Sequence, residues 1–479
     1  DYTLLTLDFE TYYGRGYSIG RSDTNTIDYI CDDKFKIQCV GVKVDDDDVE
    51  IFREDEMAQF EQFLIDLSGS GEPVALVCHN TAFDAIILHH HFNWHPTYYV
   101  DTMSMSKGMF VGAPASLKAL SQRLWSADSG KRKGAELAMS KDIYDLPPEL
   151  MDIIANYCIQ DVTLTYDAFM LMQQHFPEDE MYLIHANIRM FVEPWFRVDT
   201  QIIQEEIDSQ VSEKRAAYKR AGIPLTVLSS NQKFGIYLET RGYELPSKEN
   251  VKGEWIAALG QKDWPFLKFM AAHPELADVF AARKYAKSNI QESRARRFLS
   301  TAEKFNGFMP VPLKYYGAHT GRYSGGEALN LQNLPRITGD VGSGRLRRSL
   351  CAPDGYSVIV SDLSNIEARV LAWISGNTEL MTLYRTGGDP YLLMASKIYN
   401  FDYNDALPRK SEKEFKAMRN VGKVAVLGLG FGMGANKFWV TMNTGPMGMD
   451  PIPTTIDEAE HIVALYRETN FPVVDYWDK

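Results

Sequence analysis

The segment from Gly355 to Gly376 constrains the fold more than any other stretch, because it predicts a strand, a turn and a helix in close succession. Ser357–Val360 is a β-branched run typical of a buried strand. Asp362 stands where that strand would end, a position that holds a carboxylate and leaves it exposed, as a magnesium ligand requires. In the simpler alternative, Asp362 only begins the helix. Ser364 or Asn365 would cap this helix, and its apolar face would be formed by Ile366, Val370, Leu371 and Ile374.

Composition bounds the possible architectures. A chain of 479 residues is too long for one compact domain, and about three are expected. A formal net charge of −14 by itself argues against a nucleic-acid partner, although the local distribution of charge is more informative. The five scattered cysteines lack C-x-x-C spacing, which excludes a disulfide framework and suits a cytoplasmic protein. No run approaches the roughly 18 apolar residues of a membrane span.

Two apolar runs in the first domain end in carboxylates. Asp8 and Glu10 close the run that begins at Thr3, and alternation along a strand places them on one face. A divalent cation would relieve the repulsion between two such close charges. The alternative is an edge strand with solvated acids, but the apolar residues before Asp8 favour a central strand. Asp84 follows the second run, Val74–Cys78, and opens a helix.

A third acidic segment completes a specific pattern. Tyr157 and Asp161 are i, i+4 neighbours on a helix predicted from Pro148 to Gln174. Together, Asp-x-Glu, Asn-x-x-Phe-Asp and Tyr-x-x-x-Asp resemble the 3′–5′ exonucleases of the DEDD type over residues 1–185. The resemblance implies a ribonuclease H-like sheet, a single-stranded 3′ DNA end as substrate, and Tyr157 orienting the attacking water. It also implies two Mg²⁺ or Mn²⁺ ions held by Asp8, Glu10, Asp84 and Asp161.

Other polar runs in this domain are interpreted more simply. Asp45–Asp48 is expected to be a solvated hairpin turn between two strands. His89–His91 could bind a metal, but a triplet on a helix surface is the favoured interpretation. Lys131–Lys133 lies in a loop from which it could contact the phosphates of a strand.

The middle of the chain, residues 186–300, is expected to be mostly helical. Between residues 281 and 297 six cations stand against one acid, Glu292. We interpret them as a phosphate-binding face, the alternative being a solvated helix face. The six are Arg283, Lys284, Lys287, Arg294, Arg296 and Arg297.

Two later segments carry further binding signals. His319–Gly326 and Asn330–Arg336 combine glycines, which let a ligand approach the backbone, with amides and arginines that can bind base edges and phosphates. In the predicted helix at 409–440, steps of four residues form one stripe with two cations and then two apolar groups, which suits a triphosphate followed by a base or sugar. The stripe consists of Arg419, Lys423, Leu427 and Phe431. Its glycines argue against a plain amphipathic helix, the alternative.

These segments resemble the motifs of the family A DNA polymerases, the DNA polymerase I type. The patterns are D-x-S-x-I-E-x-R from Asp362, T-G-R-x-S with N-L-Q-N-L-P from Thr320 to Pro335, and R-x-x-x-K from Arg419. The resemblance implies an α/β and α+β multidomain fold, in which the ribonuclease H-like exonuclease is followed by the thumb, palm and fingers of a right-hand polymerase. The implied domains are 1–185 exonuclease, 186–300 thumb, 301–390 a partial palm and 391–479 fingers.

The same resemblance implies roles for individual residues. Asp362 and the Leu363 carbonyl would hold the two catalytic Mg²⁺ or Mn²⁺ ions, and Glu367 would exclude a ribose 2′-hydroxyl. The deoxynucleoside triphosphate (dNTP) would contact Tyr391, Arg419, Lys423, Leu427 and Phe431. Primer–template DNA would contact Arg283, Lys284, Lys287, Arg322, Asn330, Gln332, Asn333 and Arg336. Leu427, Phe431 and Tyr391 depart from the residues usual in the family, which puts sugar discrimination and fidelity in question.

A third polymerase motif, a His-Asp-Glu hairpin with the second metal-binding aspartate, does not follow the fingers. We expect that the sequence is incomplete beyond Lys479; in the alternative the chain cannot polymerise. The expected function is a DNA polymerase of bacteriophage type with a proofreading exonuclease, acting in the cytoplasm of a host cell. The alternatives are a 3′–5′ exonuclease whose polymerase half only binds DNA, and a DNA-binding scaffold.

Overall fold

The computed structural model describes residues 2–20, 24–125, 139–250, 253–261, 263–287, 289–335, 337, 344–446 and 451–479. Lys131–Lys133 and Arg336, both named above, lie outside these residues. Contacts divide the chain into two compact units. Unit 1 is Asp1–Arg215 with Ser288–Val358, and unit 2 is Ala216–Lys287 with Ile359–Lys479. No described helix is both long and apolar enough to cross a membrane.

Strands are concentrated at the start of the chain. In chain order they are β1 Thr3–Thr11, β2 Ile37–Val44, β3 Glu50–Arg53, β4 Val74–Cys78, β5 Tyr98–Asp101, β6 Phe196–Val198, β7 Ser247–Glu249, β8 Trp255–Ala257, β9 Phe308–Met309, β10 Leu313–Lys314, β11 Ser324–Gly325 and β12 Leu350–Cys351.

Helices make up most of the remainder. Those before residue 289 are α1 Thr26–Ile30, α2 Met57–Gly69, α3 Thr81–Phe92, α4 Thr102–Met109, α5 Leu117–Leu124, α6 Pro148–Met172, α7 Glu178–Val192, α8 Thr200–Ala221, α9 Leu225–Ser229, α10 Asn231–Glu239, α11 Trp264–Ala272 and α12 Ala277–Lys287. The later ones are α13 Ile290–Lys304, α14 Arg345–Arg348, α15 Ile366–Ile374, α16 Thr378–Arg385, α17 Pro390–Tyr399, α18 Tyr403–Ala406, α19 Lys413–Leu429, α20 Ala435–Asn443, α21 Ile456–Thr469 and α22 Phe471–Trp477. Short 3₁₀ turns lie at Glu54–Glu56, Pro274–Leu276, Leu331–Asn333 and Leu407–Arg409.

The main sheet of unit 1 is built around β1. Its order is β3-β2-β1-β4-β5, with β1 antiparallel to β2 and parallel to β4. The side chains of Leu5, Leu7 and Phe9 are buried on one face, so Asp8 and Glu10 share the other. The central strand predicted here is therefore confirmed. The predicted turn at Asp45–Asp48 is also confirmed, since it connects β2 and β3 and is exposed.

Helix α6 covers the acidic face of this sheet. It spans Pro148–Met172, in agreement with the predicted helix. A Cβ at Gly41 in β2 would lie 2.9 Å from Cys158 Sγ and 3.1 Å from Val162 of α6. Only glycine therefore allows this close packing of helix on strand. Cys158 also donates its S–H to the Asp8 carbonyl across 3.2 Å, which ties α6 to β1 at that position.

Unit 1 includes a later segment of the chain in the same core. Helix α13 contributes Phe298 and Ala302 to the cluster that contains Leu7 and Phe9. Strand β6 pairs antiparallel with both β9 and β12, which joins residues near 197, 308 and 351 in one small sheet. The first compact unit is therefore discontinuous in sequence.

Unit 2 contains two separate apolar clusters. One joins the end of α8 to α9–α12 and includes Phe234, Leu238 and Phe266. The other joins α17, α19, α20 and α21 through Met394, Val424 and Ile462, among others. The first cluster packs the segment Ala216–Lys287, and the second packs the segment Ile359–Lys479.

Arg283 corrects one of the DNA-contact predictions. Its side chain is 2% exposed, and its guanidinium donates to the Leu228 carbonyl at 2.7 Å, Asn231 Oδ1 at 2.8 Å and the Leu259 carbonyl at 3.2 Å. The guanidinium carbon also lies 3.9 Å from the centroid of the Phe234 ring. Burial lowers its pKa to about 10. Arg283 is thus a structural cation that joins three segments of unit 2, and it is not accessible to a phosphate.

The other five cations of the predicted phosphate-binding face are divided between the two units. Lys284 and Lys287 are exposed on α12 of unit 2, whereas Arg294, Arg296 and Arg297 are on α13 of unit 1. Arg296 pairs with Glu292 at 3.0 Å, Arg297 with Asp28 at 3.4 Å, and Arg294 donates to the Asn333 carbonyl. Arg294, Arg296 and Arg297 thus bind partners within unit 1. The burial of Arg283 contradicts its predicted phosphate contact, and the contacts of the other five cations stay predictions.

The buried strand predicted at Ser357–Val360 is also wrong. These residues are exposed and form no strand, and the side chains of Ile359 and Val360 are 91% and 87% exposed. No described strand pairs with them, so their β-branched side chains lack the ladder and the covering layer that a buried strand needs. Helix α15 forms as predicted, but Ile366, Val370 and Ile374 of its apolar face are exposed.

Replacing the buried guanidinium should destabilise unit 2. We expect Arg283→Met to lower its free energy of unfolding by about 3 kcal/mol, because three buried acceptors lose their donor. The exposed neighbour provides the control, and Lys284→Met should change stability by less than about 0.5 kcal/mol. Urea unfolding, with hydrogen exchange of α10 and α12 as the local measurement, distinguishes the variants. Equal unfolding midpoints would contradict the role assigned to Arg283.

Candidate functional sites

The first candidate site is a carboxylate cluster on the covered face of the main sheet. One carboxylate oxygen from each of Asp8, Glu10 and Asp161 lies within 4.8 Å of the others. Strand alternation supplies the first two, and α6, packed against β1, supplies the third. This is the one group of three or more metal-ligating side chains found among the described residues, and it does not include His89–His91.

Asp84 lies beside this cluster and outside it. Its side chain is 2% exposed, and its Oδ1 accepts the Phe9 N–H at 3.2 Å. Burial and the nearby charge of Asp8 raise its pKa well above the ordinary value. Three of the four predicted ligands are therefore brought together, while the fourth is held at the edge by a backbone hydrogen bond.

The donor set fits a hard divalent cation. Three carboxylates in close proximity repel one another, and oxygen-only ligands are those that Mg²⁺ and Mn²⁺ prefer. Tyr157 stands one helical turn before Asp161 on α6 and is nearly buried, so it lies on the same side of the helix.

The second candidate site lies in unit 2, where α17 packs against α19. Asp389 caps α17 by accepting the Tyr391 and Leu392 N–H groups at 3.1 Å each. Its other oxygen accepts Arg419 Nε at 2.7 Å, and Lys410 Nζ lies 3.9 Å away. Because Asp389 is 6% exposed and bound by backbone, it fixes the direction of the Arg419 side chain.

Tyr391 lies next to this ion pair. The centroid of its ring is 5.1 Å from the Arg419 guanidinium carbon and 6.0 Å from Lys423 Nζ. Burial raises the pKa of Tyr391, and its hydroxyl donates to Asn365 Oδ1. The structure thus places Tyr391 with both predicted triphosphate ligands.

The predicted stripe of four residues is only partly helical. Arg419, Lys423 and Leu427 lie on α19, which ends at Leu429. Phe431 follows the helix and is 70% exposed. Gly432 has φ +74°, a backbone conformation that favours glycine and turns the chain after Phe431. Phe431 therefore does not continue the stripe, because the helix stops before it.

Gly422 sets the distance between α17 and α19. A Cβ there would lie 2.1 Å from the Tyr391 carbonyl oxygen and 2.9 Å from the Ala395 nitrogen. Neither backbone atom can move without displacing α17. The glycine that sequence reasoning took as a departure from an ordinary helix is thus the point of closest approach.

The segment before α15 leaves its predicted metal ligands on the surface. Asp362 and Leu363 are exposed, and Glu367 is half-buried in the first turn of α15. The Leu363 carbonyl accepts the Ile366 N–H at 3.2 Å. In this arrangement the Asp362 carboxylate has no strand to hold it.

The predicted DNA-contact strip of unit 1 is compact. Asn330–Asn333 form a short turn against β11, where a Cβ at Gly325 would lie 2.7 Å from Asn330. Gln332 Nε2 donates to the Tyr323 carbonyl at 3.3 Å, and the Asn333 carbonyl accepts from Arg294. Arg322 and Gln332 are exposed.

Sequence reasoning missed Asp389 and Asn365 as members of the second site. The Asp-Pro dipeptide at 389–390 was a readable cap signal before a helix. The ion pair between Asp389 and Arg419 could not be predicted from local spacing, because the two residues are 30 positions apart.

Comparisons with known proteins identify the family of this chain. The family model for DNA polymerase family A matches residues 199–479, more than half of the sequence, so the chain belongs to this family. Members of the family use divalent metal ions. A DNA polymerase of Bacillus phage SP02 is 23% identical over 530 aligned residues, which cover 99% of this chain and 75% of that protein.

Other relatives are longer enzymes. DNA polymerase I of Treponema pallidum is 28% identical over 47% of this chain, and the thermostable DNA polymerase I of Thermus aquaticus is 29% identical over 57%. The chain spans only 20% and 29% of their lengths. A solved structure titled as the POL domain of Pol1 from M. smegmatis, in complex with DNA primer-template and dNTP, matches with a TM-score of 0.64 and 19% identity, over 98% of this chain and 74% of that one. At that identity the match shows the fold alone: a mixed α/β, polymerase-like multidomain chain.

A methyl group at the helix contact should separate α17 from α19. We expect Gly422→Ala to destabilise unit 2 by about 1–3 kcal/mol through overpacking, although alanine is the better helix former. Gly428→Ala is the matched control on α19, because its Cβ would meet only the flexible Met433 side chain. That variant should be neutral or slightly more stable. The measurement is thermal unfolding with hydrogen exchange of α17 and α19, and equal protection in both variants would contradict the assigned contact.

Proposed function

We propose that this protein is a template-directed DNA polymerase that also removes nucleotides from a 3′ end by a proofreading exonuclease. Membership of DNA polymerase family A supports the first activity. The cluster of Asp8, Glu10 and Asp161 is the observation that carries the second. Its substrates would be primer–template DNA, dNTPs and a single-stranded 3′ end. The process that it serves would be the replication of bacteriophage DNA.

The topology of the main sheet supports the exonuclease assignment. A five-stranded sheet of order β3-β2-β1-β4-β5, in which β2 alone is antiparallel to both of its neighbours, is the order expected of a ribonuclease H-like fold. The acidic residues lie on its central strand and on the helix that covers it. We assign residues 1–185 to this domain, followed by thumb 186–300, partial palm 301–390 and fingers 391–479.

In the exonuclease site, Asp8, Glu10 and Asp161 would hold the divalent ions, with Asp84 as a further ligand beside Asp8. Two such ions, when bound, supply an activated water and neutralise the leaving 3′-oxygen. The Phe9 N–H binds one oxygen of Asp84 and so fixes this carboxylate beside β1. Tyr157, one turn from Asp161, would orient the attacking water.

In the polymerase half, Arg419 and Lys423 would bind the triphosphate, and Tyr391 would support both cations from below. Asp362 and the Leu363 carbonyl would hold two divalent ions, and Glu367 would contact the sugar. Leu427 and Phe431 would face the incoming nucleotide. Arg322, Asn330, Gln332, Asn333 and Arg336 would contact DNA, with Lys284 and Lys287 from the thumb; Arg283 is withdrawn from this set because it is buried.

One observation favours a second candidate. Asp362 follows an exposed segment that is not a strand, so no described strand holds this carboxylate in place. A 3′–5′ exonuclease whose polymerase half only binds DNA would tolerate that arrangement. The two candidates differ in whether a primer grows.

A 5′-labelled primer–template, incubated with Mg²⁺ with and without dNTPs, tests both activities. We expect the primer to lengthen with dNTPs and to shorten without them, and EDTA should stop both reactions. Asp8→Ala with Glu10→Ala should reduce shortening to the EDTA level, because two metal ligands are lost, while lengthening and DNA binding persist.

The control removes two acids elsewhere in the same domain. Asp47→Ala with Asp48→Ala, in the exposed turn between β2 and β3, should leave both reactions unchanged. Continued shortening by the Asp8 and Glu10 variant would refute the proposed site. Shortening by the wild type under both conditions would support the second candidate.

The Asp389–Arg419 pair gives a test of nucleotide binding. Asparagine caps helices as well as aspartate does, so Asp389→Asn should keep α17 intact and remove only the charge that orients Arg419. We expect roughly tenfold weaker dNTP binding, about 1.4 kcal/mol, at an unchanged unfolding temperature. Affinity is measured on a primer terminated with a dideoxynucleotide.

Asp402→Asn is the matched control, because Asp402 caps α18 and is exposed. It should leave dNTP affinity unchanged. If Asp389→Asn also leaves it unchanged, Asp389 has only a capping role.

A further inference from the structure

The three consecutive histidines in the last turn of α3 face three different partners. His89 Nδ1 lies 3.2 Å from Nε2 of His95. His90 Nδ1 lies 3.8 Å from Cys31 Sγ, and His91 Nε2 lies 3.1 Å from a backbone carbonyl of α1. The triplet is therefore not one cluster of ligands. Its first member instead pairs with a histidine six positions later in the chain, and neither residue has a role in the assignments above.

The end of α3 fixes the position of this histidine pair. Asn93 caps the helix with φ +49°, a left-handed conformation that asparagine tolerates, and the Trp94 N–H donates to the Leu88 carbonyl at 3.1 Å. The Trp94 side chain is buried, and its indole N–H donates to a hydroxyl of α2 at 2.8 Å. The chain is thus turned back at the helix end, which brings His95 beside His89.

The separation of the two ring nitrogens suits a shared metal ion. Zinc–imidazole bonds are about 2.0–2.1 Å long, so two nitrogens on one tetrahedral ion lie roughly 3.3–3.4 Å apart. The 3.2 Å between His89 Nδ1 and His95 Nε2 is close to that value. A metal ion would take the place of the proton that a hydrogen bond between the two rings requires, and that proton would leave to water.

Glu193 stands behind the pair. Its Oε1 lies 3.9 Å from His95 Nδ1, the ring nitrogen that does not face His89. The carboxylate is itself held in place, because Oε1 accepts the Tyr99 hydroxyl at 2.8 Å and Oε2 accepts Arg189 Nε at 3.2 Å. A carboxylate on this side of a histidine favours the proton on the near nitrogen and leaves a lone pair on the far one, which is the arrangement found behind histidines that bind metals.

The surroundings of the pair also favour a bound cation. Burial and the neighbouring His95 and His90 lower the pKa of His89 to about 4, and burial lowers the pKa of His95. Both rings are thus neutral near pH 7, which is the form in which imidazole binds a metal. The C-terminal end of a helix carries a partial negative charge that stabilises a nearby cation.

We propose that His89 and His95 bind a divalent transition-metal ion such as Zn²⁺ at the C-terminal end of α3. Imidazole nitrogens suit Zn²⁺, Cu²⁺ and Ni²⁺, whereas Mg²⁺ and Ca²⁺ prefer oxygen ligands. The site therefore differs in chemistry from the carboxylate cluster, and it lies outside the one group of three or more ligating side chains among the described residues. Two protein nitrogens leave the remaining positions on the ion to water. The inference depends on neither proposed activity.

Titration with Zn²⁺, followed by isothermal calorimetry, tests the site. The background is the Asp8→Ala, Glu10→Ala protein in excess Mg²⁺, so that the carboxylate cluster does not contribute. Removing either ligand, by His89→Gln or by His95→Gln, should abolish the binding of one Zn²⁺ per chain. Glu193→Gln, which removes only the charge behind His95, should weaken that binding roughly tenfold, as the loss of an outer partner of a metal ligand does.

His90→Gln is the matched control, because His90 is the next residue of α3, is exposed, and faces Cys31 instead of His95. Zinc affinity should not change in that variant. Equal zinc binding by the background protein and by both the His89→Gln and His95→Gln variants would show that the pair is only a hydrogen bond, and would overturn the proposal. A loss of binding in the His90→Gln variant alone would overturn it as well.

Thermal unfolding separates the loss of a ligand from the loss of folding. An ion that binds only the folded chain raises the unfolding temperature. Zn²⁺ should raise that temperature for the background protein and its His90→Gln variant, and should not do so for His89→Gln, while all three unfold at similar temperatures without the ion. An equal rise in the His89→Gln variant would contradict the proposed site.

Discussion

Repulsion among carboxylates is the constraint on which the first unit depends. Asp8, Glu10 and Asp161 are held within 4.8 Å of one another by a sheet and a helix that would be easier to pack without those charges. The buried residues of β1 on the opposite face, the glycine at position 41 and the Cys158 hydrogen bond to Asp8 all fix α6 against β1. The fold thus holds close together three negative charges that a divalent cation would stabilise.

The second unit also holds like charges close together, and here the charges are positive. Arg419 and Lys423 lie close together near one tyrosine ring, and the capping carboxylate of Asp389 offsets part of their repulsion. Close approach of α17 and α19 at Gly422 makes this geometry possible, because any side chain there would separate the helices. Packing and electrostatics therefore meet at one helix pair, because the contact at Gly422 also sets the distance of Arg419 and Lys423 from the Tyr391 ring.

The sequence predicted those parts of the molecule in which local pattern decides structure. The alternating strand at Thr3–Glu10, the turn at Asp45–Asp48 and the helix carrying Asp161 all depend on neighbouring residues, and each was confirmed. The strand predicted at Ser357–Val360 does not form, because a strand needs a pairing partner and local propensity does not supply one. The DNA contact predicted for Arg283 was wrong because its guanidinium binds the carbonyls of Leu228 and Leu259. These acceptors are distant in sequence, and a count of local charges does not reveal them. Asp389 was missed for the same reason.

The discontinuity of the two units has a consequence for synthesis on the ribosome. Domains usually fold as units while the chain emerges from its N-terminus. Here the core around β1 needs Phe298 and Met309, and unit 2 begins before unit 1 is finished. The first unit is therefore complete only when residues near 358 have emerged, and Ala216–Lys287 must wait longer for the rest of its own unit. For part of translation the nascent chain therefore exposes apolar surface that the completed units bury.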